Sequence, residues 1–277
     1  MQRWGWLAVG VALMGVCVLL RLETERGIYI EEKLVEELMY FPSGRWVRPL
    51  TAGYYNLAGD VVWLRAIQYF GDHNLSDKKF DYLYHIMDVL TTLDMAFVSA
   101  YTLGGILLTD YAGQIQNALN LLEKGIKHNW ENWRIPFVKG FIYYVYLRDY
   151  PKAVLYFRYS SLCPGAPAMP AQFAAFILGK KLRNRDVALA LWWEIYNKSE
   201  TVLEKKAALR NIVELTKEIL SGFVEEYKRR HNKLPASISD LVREGFITKR
   251  GYLHGPDGGF YYITENGDIE YKEGGGE

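Results

Sequence analysis

The chain has 277 residues, of which 50% are apolar and 23% are charged, with 33 Lys and Arg against 32 Asp and Glu. This composition excludes disorder over most of the chain, and a formal charge of +1 gives no electrostatic reason to expect nucleic-acid binding. Two cysteines, Cys17 and Cys163, are too few for a disulfide framework or a four-thiolate zinc site.

The first element is an uncharged apolar run over residues 4–20, bounded by Arg3 and Arg21. As a helix it would span roughly 26 Å, close to the ~30 Å hydrocarbon core of a bilayer. No small-x-small cleavage site follows it, so residues 1–22 are predicted to be a retained transmembrane anchor; a cleaved signal and a buried core helix are the alternatives.

Orientation in the membrane depends on two opposing signals. The very short amino-terminal tail favours export of the body, whereas Arg21, Arg26 and Lys33 after the run favour a cytoplasmic body. We predict a single-pass inner-membrane protein with a periplasmic body, and a cytoplasmic body is the alternative.

Residues 23–96 are predicted to be an N-terminal helical region. Residues 22–41 form an amphipathic helical pattern with one apolar face, made of Leu34, Val35, Leu38 and Met39. Pro42 interrupts this pattern, and a second apolar helix is predicted over residues 57–70.

A repeat is present in the middle of the chain. Alanines recur every 35 residues, and each is followed four residues later by a large apolar side chain; the pairs are Ala118 and Leu122, Ala153 and Phe157, and Ala188 and Trp192. The same offset extended backward reaches Leu83 and Met87, which predicts a degenerate unit over residues 55–95. Gly104 and Gly140 are predicted to lie where two helices approach closely.

This pattern resembles the tetratricopeptide repeat (TPR) family, whose units are helix pairs of about 34 residues. The resemblance covers residues 97–198, and it implies an α-solenoid whose concave wall holds a protein or peptide partner. By the resemblance, the residues near that wall are Tyr101, Leu108, Arg134, Phe137, Phe141, Tyr144, Gln172 and Phe176. These side chains have two interpretations, a partner-binding groove or the core between repeats, and an unrelated helical bundle is the alternative to the repeat itself.

Residues 199–277 are predicted to be a long charged helix, a short helix capped by Ser237 with Asp240 three residues on, and a β-hairpin around Asn266-Gly267. From Phe223 to Tyr271 this pattern resembles the C-terminal region of major pseudopilins of type II secretion. Acidic residues bind calcium in that family, but Asp257, Glu265 and Asp268 have no EF-hand spacing here, and we predict no metal site.

No nucleotide-binding, metalloprotease or serine-hydrolase motif occurs, and the five histidines are scattered. We therefore predict a mainly α, non-enzymatic, membrane-anchored TPR scaffold or adaptor without a cofactor and without a nucleic-acid partner. Its protein partner would belong to an envelope assembly such as a pilus or a secretion system. Two alternatives stay open: a permanent structural subunit of such an assembly, and an enzyme with a site between the solenoid and the C-terminal module.

Overall fold

The computed structural model describes residues 43–247 and 252–274. Within those ranges the chain has eleven α-helices and one antiparallel sheet of two strands, so the mainly α prediction with a small C-terminal hairpin is confirmed. No helix in the described ranges is both long and apolar enough to cross a membrane. The predicted anchor over residues 4–20 and the amphipathic segment over 22–41 lie outside the described residues.

The chain divides into two compact units, residues 1–128 and 129–277, and the division falls inside the predicted repeat region 97–198. The described helices of the first unit are α1 (Gly44–Leu50), α2 (Tyr55–Leu75), α3 (Leu83–Leu93), α4 (Val98–Asp110) and α5 (Ile115–His128). The second unit contains α6 (Arg134–Val145), α7 (Tyr150–Leu162), α8 (Ala168–Lys180), α9 (Arg185–Lys198), α10 (Val202–His231), α11 (Ile238–Arg243), β1 (Phe260–Ile263) and β2 (Ile269–Lys272).

The 35-residue repeat corresponds to helix pairs. Ala118, Ala153 and Ala188 are each the fourth residue of their helix, α5, α7 and α9, and all three are fully buried. The large side chains one helical turn later are buried as well, because residues i and i+4 lie on the same face of a helix. The predicted repeat of helix pairs is therefore confirmed.

The turn inside each pair has the same backbone geometry. Its amide-to-carbonyl bonds join Gln114 to Leu108 at 2.7 Å, Asp149 to Tyr143 at 2.9 Å, and Asn184 to Leu178 at 2.8 Å. The residue before each of these donors has a left-handed φ, namely +65° at Gly113, +52° at Arg148 and +52° at Arg183. Glycine occupies this position once and arginine twice, so the turn is imposed by the packing of the two helices rather than by glycine alone.

The degenerate unit predicted over residues 55–95 is also a helix pair, formed by α2 and α3. Lys78, 35 residues before Gly113, again has a left-handed φ of +56°. Leu83 and Met87 are buried in α3, as the offset predicted.

Close approach of the two helices depends on small residues in the first helix of each pair. A Cβ added at Gly140 would lie 3.1 Å from Cδ1 of Phe157, and one added at Gly105 would lie 3.0 Å from Cδ1 of Leu122. The residue equivalent to Gly140 is thus Gly105, whereas Gly104 faces Leu121 instead. Both glycines lie at close approaches between helices, as predicted, although they do not occupy equivalent positions of the repeat.

The C-terminal segment shares its core with the repeats of the second unit. Ile212 and Leu215 of α10 belong to the same buried cluster as Trp192, and farther along the helix Val224 joins Leu241 in that cluster. The predicted module boundary at residue 199 therefore does not separate two cores.

The short helix and the hairpin form as predicted. Ser237 and Asp240 make a capping box at the start of α11, and the strands pair with Ile263 opposite Ile269. In the turn, the amide of Gly267 donates to the carbonyl of Thr264 at 2.9 Å, and in this turn Gly267 has a φ of +86° while Asn266 has no positive φ. The Asn-Gly pair therefore occupies the last two positions of a four-residue turn, rather than the centre of a two-residue loop.

Candidate protein-binding face

The first helices α6 and α8 expose phenylalanines at equivalent positions. Phe141 is 38% exposed and Phe176, 35 residues later, is 41% exposed. Both rings lie on one side of their helices because the preceding residues, Gly140 and Ala175, are buried on the other side, and consecutive residues of an α-helix point about 100° apart. We call the side of α6 and α8 that carries these two rings the open face.

Two more aromatic rings at the edge of the open face are half-buried and held in place. The Phe137 ring lies 5.3 Å from that of Phe157 and 5.8 Å from that of Phe173, and the Tyr144 ring lies 6.3 Å from that of Phe173. Such edge and tilted contacts fix ring orientation before any partner arrives. Phe137 and Tyr144 therefore belong partly to the core and partly to the open face.

Polar residues border these rings. Arg134 is exposed, its guanidinium lies 4.9 Å from the Trp133 ring, and among the described residues it makes no ion pair. Gln172 is half-buried in the first turns of α8. A planar guanidinium stacked on an aromatic ring keeps its N–H groups directed outward for a carboxylate or a backbone carbonyl.

At the other end of α8, charges are already paired. Lys180 Nζ lies 2.7 Å from carboxylate oxygens of both Glu214 and Glu218, and Arg185 Nε lies 3.1 Å from Glu218. Hydrogen bonding to Lys180, and secondarily to Arg185, lowers the pKa of Glu218, while Glu214 and then Glu218 raise the pKa of Lys180. This network neutralises one border of the open face, whereas Arg134 at the other border has no ion-pair partner in the part of the chain that the structure describes.

Two of the residues assigned to the concave wall by the TPR resemblance lie elsewhere. Tyr101 and Leu108 are completely buried in the first unit, and the Tyr101 hydroxyl donates to the carbonyl of Thr91 at 3.2 Å. Burial raises the pKa of Tyr101 well above its usual range. For these two positions the structure decides between the two interpretations in favour of core.

The residue that the sequence analysis missed is Ile106. It is 40% exposed on α4, and it stands 35 residues before Phe141. The same offset that revealed the alanines would have found it, because equivalent residues of repeated helices share the same environment.

A carboxylate in the loop beside the hairpin of the second unit has structural partners. The Asp257 carboxylate accepts from the Tyr271 hydroxyl and from the amides of Gly259 and Gly274, both at 3.2 Å, so it organises the loop beside the hairpin. In the part of the chain that the structure describes, no three His, Cys, Asp or Glu side chains are grouped to hold a metal ion. A cavity of about 440 Å³ at the α7–α8 and α9–α10 connections is lined by Ser161, Glu194 and Ser199, among others.

The Glu194 carboxylate in that cavity is engaged by Lys198 at 2.9 Å and lies 3.6 Å from Arg158. Hydrogen bonding to Lys198 lowers the pKa of Glu194, so the carboxylate stays charged and paired. The open face differs from this cavity because its central groups are apolar and uncovered.

Comparison with known proteins adds no family to this description. No protein-family model matches the chain, and no curated protein matches it in sequence. The functional argument therefore depends on the geometry of the open face.

Proposed function

We propose that the protein is a non-enzymatic, membrane-anchored scaffold whose TPR-like solenoid binds a client polypeptide on the open face. The observation that carries this proposal is the exposure of Phe141 and Phe176 at equivalent positions of two successive first helices. Aromatic side chains contribute strongly to protein interfaces, and the recurrence of an exposed ring at the same position of two helices distinguishes these two from singly exposed apolar residues.

The side chains of the open face indicate which kind of segment it would bind. Two phenylalanine rings, flanked by the half-buried Phe137 and Tyr144, favour a segment with apolar side chains that enter between the helices. Arg134 favours an acidic group or a free carboxylate at the α6 end of that segment. Binding would come from the burial of apolar surface, with no covalent step.

The cellular setting is part of the same proposal. Residues 4–20 would anchor the chain in the inner membrane with the body in the periplasm, and the client would be a component of an envelope assembly such as a pilus or a secretion system. The pattern of α10, the capped α11 and the hairpin, which resembles the C-terminal region of major pseudopilins, supports that setting.

Site-specific photocrosslinking in membranes tests the proposal. A photoreactive phenylalanine analogue is placed at position 141 or 176, and in a matched control at Leu155, which is 62% exposed on α7. We expect positions 141 and 176 to capture the same polypeptide and position 155 to capture none of it. Crosslinks confined to the chain itself would remove the open face as a client site.

Purified client then gives a quantitative test. The double variant Phe141→Ala, Phe176→Ala is expected to weaken binding at least about tenfold, because truncated interface aromatics often cost 2 kcal/mol or more. The control Leu155→Ala should bind like the natural protein. An unchanged dissociation constant in the double variant would show that the client binds elsewhere.

A further inference from the structure

Helix α2 has an apolar stripe that no described residue covers. Leu57, Val61, Leu64 and Ile67 are between 48% and 62% exposed, and their spacing places them on one side of the helix. Trp46 and Leu50 of the neighbouring α1 are also strongly exposed. An apolar stripe that runs along three turns of a helix indicates that another element packs there.

The repeat indicates which element is missing from this surface. Helix α1 packs against α3, just as α3 packs against α5, so α1 has the place of a second helix in a preceding pair. A first helix should come before it. Shifting the bounds of α2 back by one repeat gives roughly residues 20–40, which include most of the amphipathic segment 22–41. The C-terminal part of that segment, residues 28–41, carries its apolar face of Leu34, Val35, Leu38 and Met39.

Electrostatic complementarity also favours residues 28–41 as the element that covers this surface. A cavity of about 680 Å³ beside α1 is lined by Arg45, Arg48 and Lys124, among others. Lys124 Nζ is engaged by Asp88 Oδ1 at 2.7 Å, whereas Arg45 and Arg48 make no ion pair with a carboxylate within the described residues.

Segment 28–41 brings the complementary charge, since it contains four glutamates and a single lysine. Only Pro42 separates its end from Ser43, which lines the cavity. The short connection gives the segment a high effective concentration at this surface. Its glutamates also oppose binding of the same surface to anionic lipid, because they would meet like charge there.

We propose that residues 28–41 dock in cis as the first helix of an additional pair, with Leu34, Val35, Leu38 and Met39 on the stripe of α2 and with Glu36 and Glu37 directed to Arg45 and Arg48. The solenoid then begins within a few residues of the membrane anchor. Such a link transmits the position of the anchor to the body, rather than leaving the body on a free tether. This inference concerns a surface of the first unit and does not depend on client binding to the second.

Limited cleavage of the full chain in detergent by a lysine-specific protease tests the inference, with Lys33 as the reporter inside the segment. Leu64→Asp is compared with Leu155→Asp, because the two leucines are 61% and 62% exposed and neither substitution buries a charge in a core. We expect cleavage at Lys33 to be at least tenfold faster in Leu64→Asp than in the natural chain, and unchanged in Leu155→Asp. Equal rates in all three proteins would overturn the inference.

Two further outcomes would also overturn it in favour of another occupant. Protection of Lys33 that is lost on dilution, together with a halved mass in light scattering, would assign the stripe to a second copy of the chain. Protection that exists only in anionic lipid nanodiscs and is absent in detergent would assign it to the bilayer.

A charge exchange tests the ion pairs without touching the apolar stripe. Arg45→Glu with Arg48→Glu should expose Lys33 to cleavage, and adding Glu36→Arg with Glu37→Arg should restore its protection. Restoration supports the proposed register, and continued cleavage in the fourfold variant overturns it. Circular dichroism of each variant verifies that its helix content is unchanged.

Discussion

The buried and open sides of helices α6 and α8 have residues of opposite size. Gly140 and Ala175 face inward, whereas Phe141 and Phe176, one residue later, face outward. The inner positions are small because the large rings of the second helices already fill the space: the Cβ of a residue at position 140 would touch Phe157. In this repeat the smallest residues therefore mark the core, and the aromatic residues beside them mark the surface.

The largest expected difference between the two sides comes from truncating one ring on each. Phe157→Ala should lower the free energy of unfolding by about 3–5 kcal/mol, because the ring is fully buried against Phe137, Phe173 and Gly140. Phe141→Ala should lower it by less than about 1 kcal/mol, since much of that ring is already in water.

Denaturant unfolding followed by circular dichroism measures both variants under the same conditions. Similar losses of unfolding free energy in Phe157→Ala and Phe141→Ala would mean that the open face is as well packed as the core. They would contradict the difference proposed between the two sides of the helices.

A smaller effect is expected from enlarging a glycine. Gly140→Leu should cost about 1–3 kcal/mol, because the new side chain has to displace Phe157 in a packed core. Gly222 of α10 is exposed and has no atom within 4 Å of an added Cβ, so Gly222→Leu should gain up to about 1 kcal/mol from helix propensity. Thermal unfolding of the two variants should shift in opposite directions, and a matching shift in one direction would contradict the packing at position 140.

The smallest effect concerns the charged border of the open face. The folded-state pKa of Glu218 is lowered, chiefly by its hydrogen bond to Lys180, so the carboxylate stabilises the fold above its unfolded-state pKa. That contribution is lost as the pH falls through the folded-state value. For a partly exposed pair it amounts to less than about 1 kcal/mol.

Glu218→Gln should therefore lower the free energy of unfolding at neutral pH. The free energy of unfolding of this variant should also fall less than that of the natural chain when the pH is lowered. Glu225→Gln, at an exposed position on the same helix, is the matched control and should change neither quantity. If the free energy of unfolding of Glu218→Gln depended on pH as it does in the natural chain, the network of Lys180, Arg185 and Glu218 would contribute nothing to stability.

Much of the architecture was accessible to sequence reasoning because it depends on local periodicity. The alanines at 118, 153 and 188 predicted three second helices, and the capping residues Ser237 and Asp240 predicted the start of α11. The hairpin was predicted in the right place, but its loop geometry was not, since the Asn-Gly pair is compatible with more than one turn.

The candidate site was less accessible. Phe141 and Phe176, which were predicted to lie on the wall, are exposed on their helices, and their role in binding stays a proposal. Tyr101 and Leu108 were proposed on the same grounds but lie in the core of the first unit, and Ile106 was missed. The error came from a shift of register along α4, where apolar residues on several sides of the helix hide which side is buried.

The sequence by itself determined the repeat length and the position of the second helices, because these follow from the spacing of small and large apolar residues along the chain. Only the tertiary structure decided which apolar side chains of the first helices face the core. Burial of a residue such as Tyr101 or Phe176 depends on whether a distant side chain already fills the space beside it, and one helix's own sequence carries no information about that space.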